Sequence, residues 1–221
     1  MGLTVFLIIG TALMIGVMLI ANKWYQIQRV RITIASIILT LAGVAGAMLM
    51  ARIETGVWGG TSFYGAVFFA PFLMILVSRP LRISASDLLD LCAPSECIML
   101  FLLKIHCYVN GCCYGKIMKI DSSGNVVRFP SQLTESVSAL VLMLVLIWII
   151  RSGKFRGVIY CWYMVLYGLI RLILNQMRET QPFVLGLSGG SFWSLISIGT
   201  GIFLIFISYK WRILRKEEFL R

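Results

Sequence analysis

Charged side chains are what this 221-residue chain most conspicuously lacks: Asp, Glu, Lys and Arg make up 13% of it, against roughly 25% in an ordinary soluble domain. That shortage excludes a soluble globule with a wet surface. The 59% of hydrophobic residues excludes a disordered tail as well. Cysteine, at six residues, is too sparse for a disulfide-dense secreted scaffold. No internal repeat, low-complexity run or long linker divides the chain. No nucleic-acid motif is present, so nucleic acid is not an expected partner. What is abundant is Leu, Ile, Val, Phe and Met in long blocks, with a mean hydropathy of +0.91. The class that remains is an all-α, polytopic membrane protein, with residues 1–221 as one domain.

A transmembrane helix needs about 20 mostly apolar residues. Seven stretches qualify: Leu3–Ala21, Ile32–Met50, Val57–Ser78, Leu88–Lys104, Leu133–Ile150, Val158–Leu174 and Phe192–Tyr209. The fourth is the weakest because it holds Asp90 and Glu96, which leaves a tilted or re-entrant segment open. The first lacks a basic start and a clear small-x-small cleavage site, so a retained anchor is expected rather than a signal peptide.

Orientation follows from Lys and Arg in the short connections. Lys23, Arg29, Arg31, Arg79, Arg82, Arg151, Lys154, Arg156, Lys210, Arg212, Arg215, Lys216 and Arg221 fall on one side of a seven-span bundle. Arg52, Lys104, Lys116, Lys119, Arg128, Arg171 and Arg178 fall on the other. The expectation is an outer amino terminus and a cytoplasmic carboxyl terminus. Much of the net charge of +11 then serves topology and attraction to anionic membrane lipids. The seven outer cations have no such explanation. Ionisable groups at membrane depth face a polar cavity or a partner, so the site is sought there.

Three segments carry chemistry. Lys104–Lys116 reads K-I-H-C-Y-V-N-G-C-C-Y-G-K and holds the single histidine, His106, with Cys107, Cys112, Cys113, Asn110, Gly111 and Gly115. Its H-C-x4-C-C spacing is not that of a closed structural zinc site, so neither a metal nor another cofactor is expected. A disulfide is one reading on the oxidising side. A thiolate nucleophile favoured by His106 or Lys104 is another. The second segment, Arg128–Glu135, puts Pro130 and Ser131 at a helix entry, with Ser131 as a cap. It also sets Gln132 and Glu135 on one helical face behind an arginine suited to a phosphate fork. The third, Tyr167–Glu179, sets Arg171, Asn175 and Arg178 at i, i+4 and i+7, so all three project from one stripe. Arg171, flanked by Leu and Ile, requires a carboxylate or an anion, and Glu135 is the internal candidate. Earlier in the chain, Gly59–Gly65 offers a small-residue helix face around Tyr64.

In this order the motifs resemble the bacterial prolipoprotein diacylglyceryl transferase family, from the second span onward. Ser62–Ala66 is similar to the family's S-F-H-G-G, and Lys104–Gly115 to its R-x-G-N-F-x-N-G-E-x-x-G. Arg128–Glu135 is similar to R-x-P-S-Q-L-Y-E, and Tyr167–Arg178 to Y-G-x-x-R-x-x-x-E-x-x-R. Leu187–Ser194 with Ser197 echoes the family's last-helix entry. The resemblance implies transfer of a diacylglyceryl group from phosphatidylglycerol to the cysteine thiol in the signal-peptide region of a preprolipoprotein. It implies a multi-pass protein of the bacterial plasma membrane with its site near the outer leaflet. Tyr64, His106 and Arg171 are the catalytic candidates. Lys104, Asn110, Gly111, Gly115, Arg128, Gln132, Glu135, Asn175 and Arg178 are the candidates for substrate binding.

Departures from the family pattern are concentrated in these motifs. Tyr64 stands where the family has His, Lys104 where it has Arg, Cys107 where it has Asn, Cys112 where it has Glu, and Asn175 where it has Glu. Two alternatives follow from them. One is a paralogue that uses Cys107, Cys112 and Cys113 for other thiol or acyl-transfer chemistry. The other is a non-catalytic lipid-binding protein.

Overall fold

The computed structural model describes residues 3–120, 122, 125–180 and 182–219; Arg221 of the basic carboxyl-terminal group lies outside them. Among the described residues the α-helices are α1 (Leu3–Ala21), α2 (Arg29–Thr55), α3 (Tyr64–Ser78), α4 (Ala85–Val109), α5 (Ser131–Ser152), α6 (Ile159–Asn175) and α7 (Gly189–Phe219). Segments Thr4–Trp24, Arg29–Thr55, Ser131–Ser152 and Gly189–Lys210 are long and apolar enough to cross a membrane, while α3 and α6 are shorter apolar helices.

Not everything is helical. Antiparallel β1 (Ile117–Ile120) and β2 (Val126–Arg128) form a hairpin between α4 and α5, pairing Ile117 with Arg128 and Ile120 with Val126. A second small pair, β3 (Pro182–Val184) and β4 (Leu187–Ser188), precedes α7. The all-α expectation is corrected to this extent: in the connections, short extended segments pair with each other to satisfy their backbone groups.

The third apolar block also begins later than hydropathy suggests. Gly56 closes α2 in the left-handed conformation, Gly59 has φ +120°, and helix resumes at Tyr64. Val57–Phe63 is therefore a connection, tied to α2 where the Ser62 N–H donates to the Ala47 carbonyl at 2.9 Å. The small-residue face does close up two helices. A Cβ on Gly65 would lie 1.9 Å from the Gly46 carbonyl oxygen, so α2 and α3 meet backbone to backbone.

The fourth block forms a continuous helix, and α4 is central. It packs against α1, α3, α5 and α6, and its residues Asp90–Leu100 are all buried. Its two acids have partners. Asp90 accepts the Tyr25 hydroxyl at 2.8 Å and the N–H groups of Gly157 and Ile159 at 2.5 and 2.9 Å, which satisfies orphan donors where α6 begins. Glu96 accepts the Tyr160 hydroxyl at 3.0 Å. Nearby, Arg156 forks onto Asp87 through two 2.8 Å bonds and covers the Tyr25 ring, and Arg31 reaches the Arg82 carbonyl at 3.3 Å. Residues of the first, third and fifth connections thus gather at one end of the bundle.

Candidate functional site

At the opposite end three helices converge on one carboxylate. Glu135 lies in the first turns of α5 and is 5% exposed. Lys104, near the end of α4, approaches it to 2.6 Å; Arg178 does so at 3.2 Å; Arg171, near the end of α6, forms a closer ion pair. The inferred Arg171–Glu135 pair is present, and Lys104 joins it across helices. Three cations against one carboxylate leave an excess of two positive charges in a nearly dry place. Such an excess is a strong attractor for an anion. The Arg178 Nε donor is buried with no hydrogen-bond partner among the described residues.

Arg178 does not reach this point as part of a helix. α6 ends at Asn175; the N–H groups of Met177 and Arg178 then turn back onto the carbonyls of Leu174 and Asn175. The strand-like Gly115–Arg178 bridge and the Lys116 N–H to Met177 carbonyl bond at 2.9 Å hold the segment. The expected i, i+4, i+7 stripe is corrected accordingly, because pairing with the Cys-loop segment replaces the next helical turn. Asn175 faces elsewhere: its Nδ2 donates to Ser191 at 2.7 Å and to Ser188, tying α6 to the start of α7. Gly115 is required by the same crossing, since a Cβ there would meet the Phe129 carbonyl at 2.2 Å. Arg128 sits outside the cluster, paired with Glu179 and lying 5.4 Å over the Tyr114 ring.

The cysteine segment folds back on itself. After α4, Gly111 at φ +62° and Cys113 at φ +61° reverse the chain, and the Cys112 N–H donates to the Cys107 carbonyl at 3.0 Å. The three sulfurs come within 4.8 Å of one another. All six cysteines are free thiols, so the disulfide reading is replaced by a three-thiol cluster in which Cys107 hydrogen-bonds Cys113 instead of being joined to it. That hydrogen bond holds the Cys113 thiol well below the ordinary range, at about 5; Lys104 and Arg178 act in the same direction, against the effect of burial.

The start of α5 fixes this segment in place. Ser131 does not cap the helix, a position Pro130 occupies; its hydroxyl donates instead to the Cys113 carbonyl at 2.8 Å. Gln132 donates to the Cys112 carbonyl at 2.7 Å. His106 is not part of the cation cluster. Its Nε2 lies 2.9 Å from Asn110 Nδ2, and its ring packs edge-on against Phe6.

Tyr64 is buried on α3, with its hydroxyl 2.7 Å from that of Ser194 on α7 and its ring centroid 5.4 Å from that of Tyr167. One acid here escaped sequence reasoning. Glu54, at the end of α2, accepts the Ser62 hydroxyl at 2.7 Å and lies within electrostatic reach of Arg171. Its only sequence signal was an acidic residue at the outer edge of an apolar block. Between α5 and α6 runs a cleft with Glu135, Tyr167 and Arg171 at its polar part and Leu142, Ile170 and Leu174 along its apolar walls. The cleft is tight, with a volume of about 10 Å³.

Residues 5–207 match the family model described as prolipoprotein diacylglyceryl transferase. This chain belongs to that family. Among its relatives are proteins named phosphatidylglycerol–prolipoprotein diacylglyceryl transferase from three bacteria. The one from Geobacter sulfurreducens is 33% identical over 144 residues, 62% of this chain and 55% of that protein. That from Clostridium tetani is 28% identical over 156 residues, 66% and 63% respectively. That from Caulobacter vibrioides is 31% identical over 182 residues, 70% and 60%. The chain thus spans less than two thirds of the length of these relatives. Against the transferase-family motifs, the geometry separates two groups of residues. Lys104, Glu135, Arg171 and Arg178 form one charged centre, and Cys107, Cys112 and Cys113 line a second point beside it. Arg128, Asn110 and Asn175 bond to the surrounding frame.

Proposed function

We propose that this chain transfers a diacylglyceryl group from phosphatidylglycerol to the cysteine thiol in the signal-peptide region of a preprolipoprotein. In this reading all seven helices cross the bacterial plasma membrane, with the amino terminus outside and the carboxyl terminus in the cytoplasm. The site then opens near the outer leaflet, where membrane lipids enter it laterally. The observation that carries the reading is the excess of cations gathered around the buried Glu135 at the polar part of an apolar cleft. A phospholipid matches both halves: its phosphate meets Arg171 and Arg178 through charge-assisted bonds, and its acyl chains follow Leu142 and Ile170.

The chemistry is displacement at a glyceryl carbon. The thiol gives up its proton to solvent, its sulfur forms a bond to that carbon while the carbon–oxygen bond to phosphate breaks, and glycerol phosphate leaves with the electron pair. Arg171, Arg178 and Lys104 stabilise the charge that grows on the departing phosphate. Purified protein incubated with radiolabelled phosphatidylglycerol and a peptide bearing the acceptor cysteine is expected to yield a diacylglyceryl peptide. Absence of product, where an authentic family enzyme succeeds in the same assay, refutes the reading. Growth of cells depleted of their own transferase provides the matching test in vivo.

A further inference from the structure

The transfer needs the acceptor as a thiolate, and the position where the family pattern has a histidine holds Tyr64, whose hydroxyl is engaged with Ser194. Close by stand three thiols that the charged centre does not use. Cys107, Cys112 and Cys113 present their sulfurs within 4.8 Å of one another. Zinc–sulfur bonds of about 2.3 Å set thiolates roughly 3.8 Å apart around one ion, so small side-chain rotations close the trio onto a single point. We infer that Cys107, Cys112 and Cys113 form a three-thiolate site for a divalent cation of the zinc class, whose open fourth position takes the acceptor thiol.

Four observations support the assignment. The backbone of the trio is held independently of any ion, by Ser131 on the Cys113 carbonyl and Gln132 on the Cys112 carbonyl. Supporting bonds of this kind orient ligands and raise affinity. Among the described residues no fourth protein donor converges: His106, next in sequence, has its Nε2 at Asn110, and Lys104 is engaged with Glu135. Three protein ligands and a free position are the pattern of a catalytic rather than a structural zinc centre. Charge is also partly offset, because three thiolates and a divalent ion carry a net −1 beside the excess of two positive charges around Glu135. Finally, Ser131 and Glu135 are four residues apart on α5, about 6 Å along its axis, so a metal-held acceptor and an arginine-held phosphate would be neighbours.

The inference rests on the transfer reading for the identity of the fourth ligand. A coordinating thiol is deprotonated outright; its proton passes to solvent, the metal-held sulfur bonds to the glyceryl carbon, and glycerol phosphate leaves with the electrons of the broken carbon–oxygen bond. No oxidant or reductant is involved.

The test uses the full chain, reduced and stripped of metal in detergent, titrated with Co2+ as an optical probe and with Zn2+ in competition. One Co2+ per chain is expected, with a thiolate-to-cobalt charge-transfer band. A peptide carrying the acceptor cysteine should shift that band, and its serine counterpart should not. Cys107→Ser, Cys112→Ser and Cys113→Ser should each weaken binding by more than the roughly 10–100-fold that loss of a supporting bond costs. Cys161→Ser, on α6 and apart from the trio, should bind as the parent does. Absence of stoichiometric binding, or equal binding by the three serine variants, overturns the site. Full transfer activity in chelator-treated, metal-free protein also overturns it while leaving the transfer reading intact. Binding with a peptide-dependent shift but no transfer from phosphatidylglycerol supports the site and refutes the transfer reading instead.

Discussion

Replacing Glu135 by Gln removes the carboxylate that contacts one buried and two largely buried cations while keeping the side chain's shape. Lys104 at 2.6 Å, Arg178 at 3.2 Å and Arg171 in contact would then face one another without a counter-charge, at a position only 5% exposed. Breaking a buried ion pair by deleting one partner costs about 3–5 kcal/mol. With three cations losing the same partner, the upper end, about 5 kcal/mol, is the expected value. For a chain of this size each kcal/mol moves the midpoint by roughly 2–4 °C, so Glu135→Gln should lower the Tm by about 10–20 °C. The assay is thermal unfolding of detergent-purified protein. Two further arms identify the cause. Lys104→Met combined with Glu135→Gln should cost less than the sum of the single changes, by about 0.5–3 kcal/mol. Glycerol phosphate at about 100 times its Kd should restore roughly 2.7 kcal/mol by mass action. A Tm shift of about 2 °C or less, or strict additivity with Lys104→Met, would refute the idea that these cations depend on Glu135.

Other changes probe other parts of the molecule. Arg171→Ala should abolish transfer, and Arg171→Lys, which keeps charge but not the planar fork, should lower kcat by about 100-fold or more; full activity of Arg171→Ala in the radiolabel assay would remove the anion-holding role. Asp90→Ala, which strands the Gly157 and Ile159 N–H groups, should cost roughly 1.5–3 kcal/mol, read as a lower Tm. Gly65→Ala, whose Cβ would meet the Gly46 carbonyl at 1.9 Å, should cost about 1–3 kcal/mol. Gly43→Ala, with its nearest neighbour at 3.5 Å, should stay within about 0.5 kcal/mol in the same melt.

Hydropathy located the helices well where the chain is apolar on all sides. α1 begins and ends at the expected residues, and α5 and α6 do so within two. It misplaced the start of α3, because Val57, Trp58 and Phe63 are apolar while Gly56 and Gly59 break the helix between them. At Arg178 the periodicity was extended past the end of α6. No glycine or proline marks that end; a bridge from Arg178 to the sequence-distant Gly115 does, and such pairing has no local signature. The pairing of Arg171 with Glu135 was legible because an arginine among apolar residues demands a partner. Lys104 as a second partner was not, since it arrives from another helix. The cysteine trio matched no ligand spacing because its meeting point is made by a reversal at Gly111 and Cys113, not by helical or strand period.

The position of α4 has a mechanical consequence. Through Asp90 it grips the first turn of α6, and through Lys104 it grips the first turns of α5. The two grips are 14 residues apart, about 21 Å along the rod. A strut fastened at both ends to two different neighbours neither slides nor rolls freely. The bundle is therefore braced like a truss, and the frame on either side of the α5–α6 seam holds its span.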